Sequence, residues 1–131
     1  MNRPEAVVRG LIDAVSAGDV QGMLSRLAPD VEVIEPPSLP YGGVHQGIEA
    51  FVSGVIEVML AKAEMGATNH RFISAGDTVA VSMLASARSR RTGKVLQMPF
   101  VELYTVTDGL ISRIDVYPQD TRRLAEFLDA N

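Results

Sequence analysis

The sequence contains no cysteine and no tryptophan, and only two of its 131 residues are histidine. Without cysteine, the chain can form no disulfide, no thiolate metal site and no thiol nucleophile. Lysine and arginine number 12 against 16 acidic residues, which gives a net charge of −4 and a pI of about 5.1. This acidic balance argues against a nucleic-acid-binding protein, which normally carries a basic patch.

Several sequence signals of other protein classes are also missing. No apolar run approaches the length of a membrane span, and Glu5 and Arg9 interrupt the N-terminal region where a secretion signal needs continuous apolar residues. The histidines do not stand one helical turn apart, and no glycine-rich phosphate loop is present. We therefore expect a soluble, cytoplasmic protein of one domain over residues 1–131, with no metal, no cofactor and no membrane partner.

The first half of the chain has helical periodicity. Apolar residues recur at helical spacing over residues 4–17 and 48–64, and a shorter helix is predicted over residues 20–27. The segment VEVIE, residues 31–35, alternates like a short strand. The prolines and glycines of residues 36–47 predict an irregular loop.

After Gly66 the apolar pattern becomes that of β-strands joined by tight turns. The predicted strands cover residues 68–75, 78–89, 95–107 and 110–117, and a last helix is predicted over residues 120–130. Helices followed by hairpins indicate an α+β fold, with helices on one face of an antiparallel sheet. If this sheet is strongly curved and closed by helices, it forms a cone with a pocket inside.

One carboxylate stands out on the predicted sheet. In PFVELYTVTDGLISRI, residues 99–114, Glu102 has the parity of Phe100, Tyr104 and Val106, so these side chains point to the same face. If that face is the core, Glu102 is buried, which is rare for a carboxylate without a partner. Either it has a ligand-binding or catalytic role, or it pairs structurally with one of three basic residues, Arg71, Arg113 or His70.

Five segments in this order resemble the nuclear transport factor 2-like superfamily, and within it the ketosteroid isomerases and the SnoaL-like polyketide cyclases. They are AVSAGD, LAPDVEVIEPP, PYGGVHQG, PFVELYTVTDGLISRI and VYPQDTRRLAEFL. The resemblance spans nearly the whole chain. It implies a cystatin-like α+β roll, in which a cone-shaped sheet surrounds an internal pocket. It also implies a homodimer through the outer face of the sheet, which is common in the superfamily.

The resemblance assigns roles to two glutamates. Glu35 matches the position of the general-base aspartate of the isomerases. Glu102 matches their protonated aspartate in the oxyanion hole, and in the cyclases it matches a histidine that faces the substrate. An apolar environment disfavours the charged form of a carboxyl group and so keeps it protonated, as happens in ketosteroid isomerase.

The chain also departs from both groups of enzymes. Leu11 occupies the position of the isomerases' oxyanion tyrosine, and Val116 that of the cyclases' base aspartate. Asp115 is adjacent to Val116, but its side chain should point to the outer face. Tyr41 lies in a loop that related sequences place near the pocket mouth, so its hydroxyl is a candidate substitute for the missing tyrosine. His45 in the same loop is a candidate gate or ligand contact.

These observations predict a cofactor-independent enzyme that carries out general acid/base proton transfer on an apolar carbonyl compound, as an isomerase, cyclase or dehydratase. Glu35 would be the base, Glu102 the acid or hydrogen-bond donor, and Tyr41 a helper. The residues predicted to contact the substrate are Leu11, His45, Met83, Phe100, Tyr104, Ile114 and Val116. Two alternatives remain: a non-catalytic binding protein for a small hydrophobic ligand, and a dimeric interaction module with a vestigial pocket.

Overall fold

The computed structural model describes residues 2–130. The helices are α1 (Arg3–Ser16), α2 (Val20–Leu24), α3 (Ile48–Phe51), α4 (Glu57–Lys62) and α5 (Thr121–Ala130), and a π-helical segment, Val52–Ile56, joins α3 to α4. Side-chain caps fix where the first two helices begin: Asn2 accepts a hydrogen bond from the Glu5 backbone N–H, and Asp19 accepts one from the Gly22 N–H. None of the helices within residues 2–130 is both long enough and apolar enough to cross a membrane.

Six strands form one curved, unclosed sheet. They are β1 (Leu27–Glu35), β2 (Gly43–Gln46), β3 (Ala63–Ala75), β4 (Thr78–Ser89), β5 (Val95–Thr107) and β6 (Leu110–Pro118), and their order in the sheet is β2-β1-β6-β5-β4-β3. All neighbouring strands are antiparallel except β1 and β6, which are parallel. The predicted α+β class with a curved sheet is confirmed, although the sheet was predicted to be antiparallel throughout. The parallel pair was not predicted.

The predicted element boundaries were wrong by two or more residues at five places. Strand β3 begins at Ala63, five residues before the predicted start at residue 68. Residues 43–46, predicted as loop, form strand β2, because they pair antiparallel with β1 as an edge strand. The long helix ends at Lys62 rather than at residue 64, because Ala63 is fully buried and pairs with Ser89 as the first residue of β3. Helix α2 is shorter than predicted, and β1 begins four residues earlier than predicted, at Leu27.

The core consists of two packed clusters on the inner face of the sheet. The first joins α1 to the middle of the sheet, and its members include Val8, Leu11, Val33, Val81, Met83, Tyr104, Ile114 and Val116. The second lies beneath α5 and includes Leu39, Tyr41, Met98, Leu124 and Leu128. Phe51 and Phe100 are partly buried and pack against both clusters. The two clusters therefore meet at the level of Phe100.

Candidate active site

Strand register brings Glu35 and Glu102 to the same level of the sheet. Glu102 on β5 pairs with Val116 on β6. Ile34 on β1 pairs with Asp115 on β6, so one residue further along both parallel strands Glu35 stands beside Val116. The two glutamates therefore flank Val116, two strand spacings apart, which is roughly 10 Å between their Cα atoms. Because all three side chains point to the inner face, the carboxyl groups can approach across Val116.

Glu35 is a buried carboxyl group with an unsatisfied oxygen. It shares the inward face of β1 with Val31 and Val33, and only 7% of its surface is exposed. Its Oε1 atom has no hydrogen-bond partner among residues 2–130. Burial, with a smaller contribution from the charge of Glu102, raises the pKa of Glu35 to about 8. Glu35 is therefore mainly protonated at neutral pH.

Glu102 lies on the inner face as predicted, and it has a partner. The Tyr104 hydroxyl donates a hydrogen bond of 2.7 Å to Glu102 Oε1. The two residues are two positions apart on β5, so their side chains leave the same face of the strand. Burial raises the pKa of Glu102, and the hydrogen bond from Tyr104 opposes that rise. The three basic residues considered as structural partners make no hydrogen bond or ion pair with it.

Tyr41 reaches the same region from the loop after β1. This loop folds back on its own start: the Leu39 N–H donates to the Pro36 carbonyl, and the Gly42 N–H donates to the Leu39 carbonyl. A Cβ atom at Gly42 would lie 2.3 Å from the Pro36 carbonyl oxygen, so glycine is required for this close approach. Tyr41 is 3% exposed.

The four side chains Glu35, Tyr41, Glu102 and Tyr104 influence one another electrostatically. We call them the acidic cluster. Burial raises the pKa of both tyrosines, and the charges of the two glutamates raise it further. No lysine, arginine or histidine of the described chain contributes to the pKa shift of any member. The cluster therefore combines two carboxyl groups with two protonated phenol donors, and no cation balances it.

An open groove lies next to Glu35, and the other three members of the acidic cluster are not among its lining residues. Its volume is about 300 Å³, and it lies where β1 and β6 diverge, next to the start of α5. Pro36 has no N–H group to continue the ladder with β6, which explains why the strands separate there. The groove is lined by Ile34, Glu35, Pro36, Pro37, Asp115, Val116, Tyr117, Pro118 and Thr121. Sequence reasoning identified Glu35 and Val116 but missed the rest, because the groove arises from the pairing of β1 with β6.

The other predicted contact residues occupy different environments. Leu11, Met83 and Ile114 are packed in the first core cluster and do not line the groove. Phe100 borders a small void of about 10 Å³ between the sheet and α5. The His45 ring is half-buried, and its Nε2 atom lies 2.9 Å from the Tyr41 carbonyl oxygen. His45 thus contacts the backbone of the Tyr41 loop and takes no part in the electrostatics of the acidic cluster.

The outer face of the sheet carries an ion network that includes Asp115, one of the groove-lining residues. The Arg113 guanidinium donates two hydrogen bonds to Asp115, at 2.9 and 3.0 Å, and one of 2.7 Å to Glu32. These contacts place Asp115 on the side opposite to Val116, as strand alternation predicts. Within residues 2–130, no group of three His, Cys, Asp or Glu side chains is arranged to hold a metal ion.

Comparison with known proteins identifies relatives of the chain. The SnoaL-like domain family matches residues 8–114. An uncharacterised protein of Mycobacterium tuberculosis is 30% identical over 124 residues, which cover 92% of each chain. A Burkholderia pseudomallei protein, described as NTF2-like and of unknown function, has a TM-score of 0.88 and 23% identity, covering 98% of both chains. This similarity supports the fold alone. TerC, crystallised with polyporic acid, has a TM-score of 0.82 and 26% identity, covering 98% of this chain and 99% of its own.

Proposed function

Because the chain belongs to the SnoaL-like family, within the nuclear transport factor 2-like superfamily, we propose that it is a cofactor-independent enzyme that transfers protons on an apolar carbonyl compound. The reaction would be an isomerisation, a cyclisation or a dehydration. The observation that supports this most strongly is the register that sets Glu35 and Glu102 on either side of Val116 on the inner face. A pair of carboxyl groups beside phenol donors, without a cation, is suited to proton transfer.

The proposed chemistry needs a base and a donor. A carboxylate removes the proton next to the carbonyl group, and the electron pair of the broken C–H bond moves to the carbonyl oxygen as an enolate. A protonated carboxyl group or a phenol stabilises that oxygen by a hydrogen bond in surroundings with little water. The base then returns the proton to the same or to another carbon. Glu35 and Glu102 supply one base and one donor, and Tyr41 can supply a second hydrogen bond.

The surroundings of the acidic cluster favour an apolar substrate. The groove wall next to Glu35 includes three prolines, Ile34, Val116 and Tyr117. Its volume of about 300 Å³ is at the lower end of the range for small-molecule sites. The structure of TerC with polyporic acid supports the proposal, since a protein 26% identical to this chain was crystallised with a small organic acid. We propose that the groove is where the substrate enters.

The experiment is an exchange assay that needs no knowledge of the product. A panel of cyclic ketones and enones is incubated with the protein in D₂O, and the loss of the signals of protons next to the carbonyl group is followed by NMR. We expect exchange above the buffer rate for at least one compound. The double variant Glu35→Gln, Glu102→Gln should lose at least 100-fold of that rate, while Glu57→Gln, on an exposed face of α4, should keep it.

Two outcomes would contradict the proposal. One is exchange that persists in the double variant, once circular dichroism has shown that the variant is folded. The other is calorimetric binding of panel members or polyporic acid by wild-type protein that catalyses exchange of none of them. The second outcome would identify a binding protein for a hydrophobic ligand.

A further inference from the structure

We propose that Tyr104 is a positioning residue that keeps the negative charge of the carboxyl pair on Glu102, so that Glu102 is the base and Glu35 is the hydrogen-bond donor. This inference rests on the proposed function, and it reverses the roles that the resemblance to ketosteroid isomerases implies. It follows from the different surroundings of the two carboxyl groups, which the aligned positions do not reveal.

The first step concerns Glu102. The Tyr104 hydroxyl donates to Glu102 Oε1 at 2.7 Å, and a hydrogen bond given to a carboxylate stabilises its charged form. Tyr104 itself remains protonated, because burial and the nearby carboxylate charges disfavour a phenolate. Glu102 therefore has a permanent donor fixed on its own strand, two residues away.

The second step concerns Glu35. Its Oε1 atom is buried and has no donor among residues 2–130. A negative charge there would lack both water and a hydrogen bond, which is costly in a protein interior. A proton on Glu35 removes that charge and creates an O–H donor. Glu35 is also one of the groove-lining residues, so in this proposal its O–H donates to the carbonyl oxygen of a substrate bound there.

The third step concerns the neighbouring groups. The ionisable side chains that act on Glu35 and Glu102 are each other and the tyrosines at 41 and 104, which come from β1, β5 and the loop after β1. No basic side chain of the described residues acts on either glutamate, so none favours a second negative charge. Burial disfavours a negative charge on both glutamates, and the hydrogen bond from Tyr104 favours Glu102 as the one that carries a charge.

In the resulting reaction the Glu102 carboxylate takes the proton from the carbon next to the carbonyl. The C–H bond breaks, and its electron pair becomes the enolate, whose oxygen accepts a hydrogen bond from the Glu35 O–H. Glu102, now neutral, returns the proton to the substrate carbon and recovers its charge. Protons and electrons balance within the pair and the substrate, so no co-reactant is needed.

The first test needs no substrate. The side-chain carboxyl carbons of ¹³C-labelled glutamate are titrated by NMR, and each signal is assigned by its loss in Glu35→Gln or Glu102→Gln. Because the pair is coupled, the informative quantity is which signal moves first as pH rises. We expect Glu102 to ionise first in the wild type, and Tyr104→Phe to raise the pH at which it ionises by at least one pH unit. The control Tyr117→Phe removes an exposed hydroxyl and should leave both titrations in place.

The second test uses the exchange assay. Glutamine keeps an N–H donor but is no base, so Glu35→Gln should lose about tenfold in rate and Glu102→Gln at least 100-fold. Tyr104→Phe should move the acidic limb of the pH–rate profile to higher pH, which a merely structural role would not do. If Glu35 ionises first, or Glu35→Gln is the more damaging variant, the role assignment is wrong although the proposed function stands. If the titrations agree but no exchange occurs, the charge assignment stands and the proposed function is wrong.

Discussion

Replacement of Glu35 by glutamine should make the protein less sensitive to alkaline conditions. The folded protein holds the Glu35 proton up to about pH 8, whereas the ordinary pKa of a glutamate is 4.5. Between these values the folded state binds more protons than the unfolded chain, so its stability falls as pH rises. Glutamine has nearly the shape of the protonated glutamate and does not titrate, so the variant lacks this contribution.

The size of the effect follows from the same two pKa values. Each pH unit between them corresponds to about 1.4 kcal/mol. The interval from 4.5 to about 8 therefore corresponds to at most about 5 kcal/mol. At pH 5 the variant and the wild type should have similar free energies of unfolding. At pH 8 the variant should be the more stable protein, by several kcal/mol.

Urea unfolding followed by circular dichroism, at pH values from 5 to 8, measures this difference directly. The matched control is Glu126→Gln, which changes an exposed glutamate of α5 that pairs with Arg122. The free energy of unfolding of this control should depend on pH in the same way as that of the wild type. If the free energy of unfolding of Glu35→Gln also depends on pH as that of the wild type does, then Glu35 is not a neutral, buried carboxyl group. The description of the acidic cluster would then be wrong.

Three further predictions concern the scaffold. Gly42→Ala should destabilise the protein by about 3 kcal/mol in urea unfolding, because its Cβ would overlap a backbone carbonyl oxygen. The control Gly18→Ala adds a Cβ in open space and should cost only about 1 kcal/mol. Equal losses in the two variants would contradict the overlap. Leu128→Ala should cost about 2–5 kcal/mol, since this α5 side chain is buried in the second core cluster. A loss below 1 kcal/mol would show that α5 is not part of the core. The predicted homodimer through the outer sheet face should dissociate in the variant Val101→Lys, as measured by sedimentation velocity. The control Val20→Lys, on α2, should leave the assembly unchanged. A dimer that survives in Val101→Lys does not use this face.

Strands β4, β5 and β6 could be predicted closely because their residues alternate between the two faces of the sheet, whereas the first five residues of β3 were missed. The predicted segments 78–89 and 95–107 have the observed bounds, and their turns carry glycine. Strand β2 could not be predicted in this way, because its four residues follow a proline- and glycine-rich loop and form a strand only by pairing with β1. The π-helical segment was also missed, since apolar spacing hardly distinguishes it from an α-helix.

The candidate site was predictable in part because strand residues alternate between the two faces of the sheet. Strand parity placed Glu102 on the inner face, and the spacing of two residues to Tyr104 was visible in the sequence. Its role as hydrogen-bond partner was nevertheless missed, because sequence reasoning sought an opposite charge and not a phenol. The proximity of Glu35 and Glu102 depends on the parallel register of β1 with β6, a contact between distant segments. Only the resemblance to known enzymes indicated it beforehand.

The central claim is that the acidic cluster holds a neutral carboxyl group at neutral pH, in a position to act on a substrate. Infrared difference spectroscopy between wild type and Glu35→Gln at pH 7 tests this most directly, since a protonated carboxyl has a C=O stretching band that a carboxylate lacks. We predict that the wild type shows this band at pH 7 and that it disappears in the variant. A wild-type spectrum without the band, with both glutamates ionised, would contradict the account.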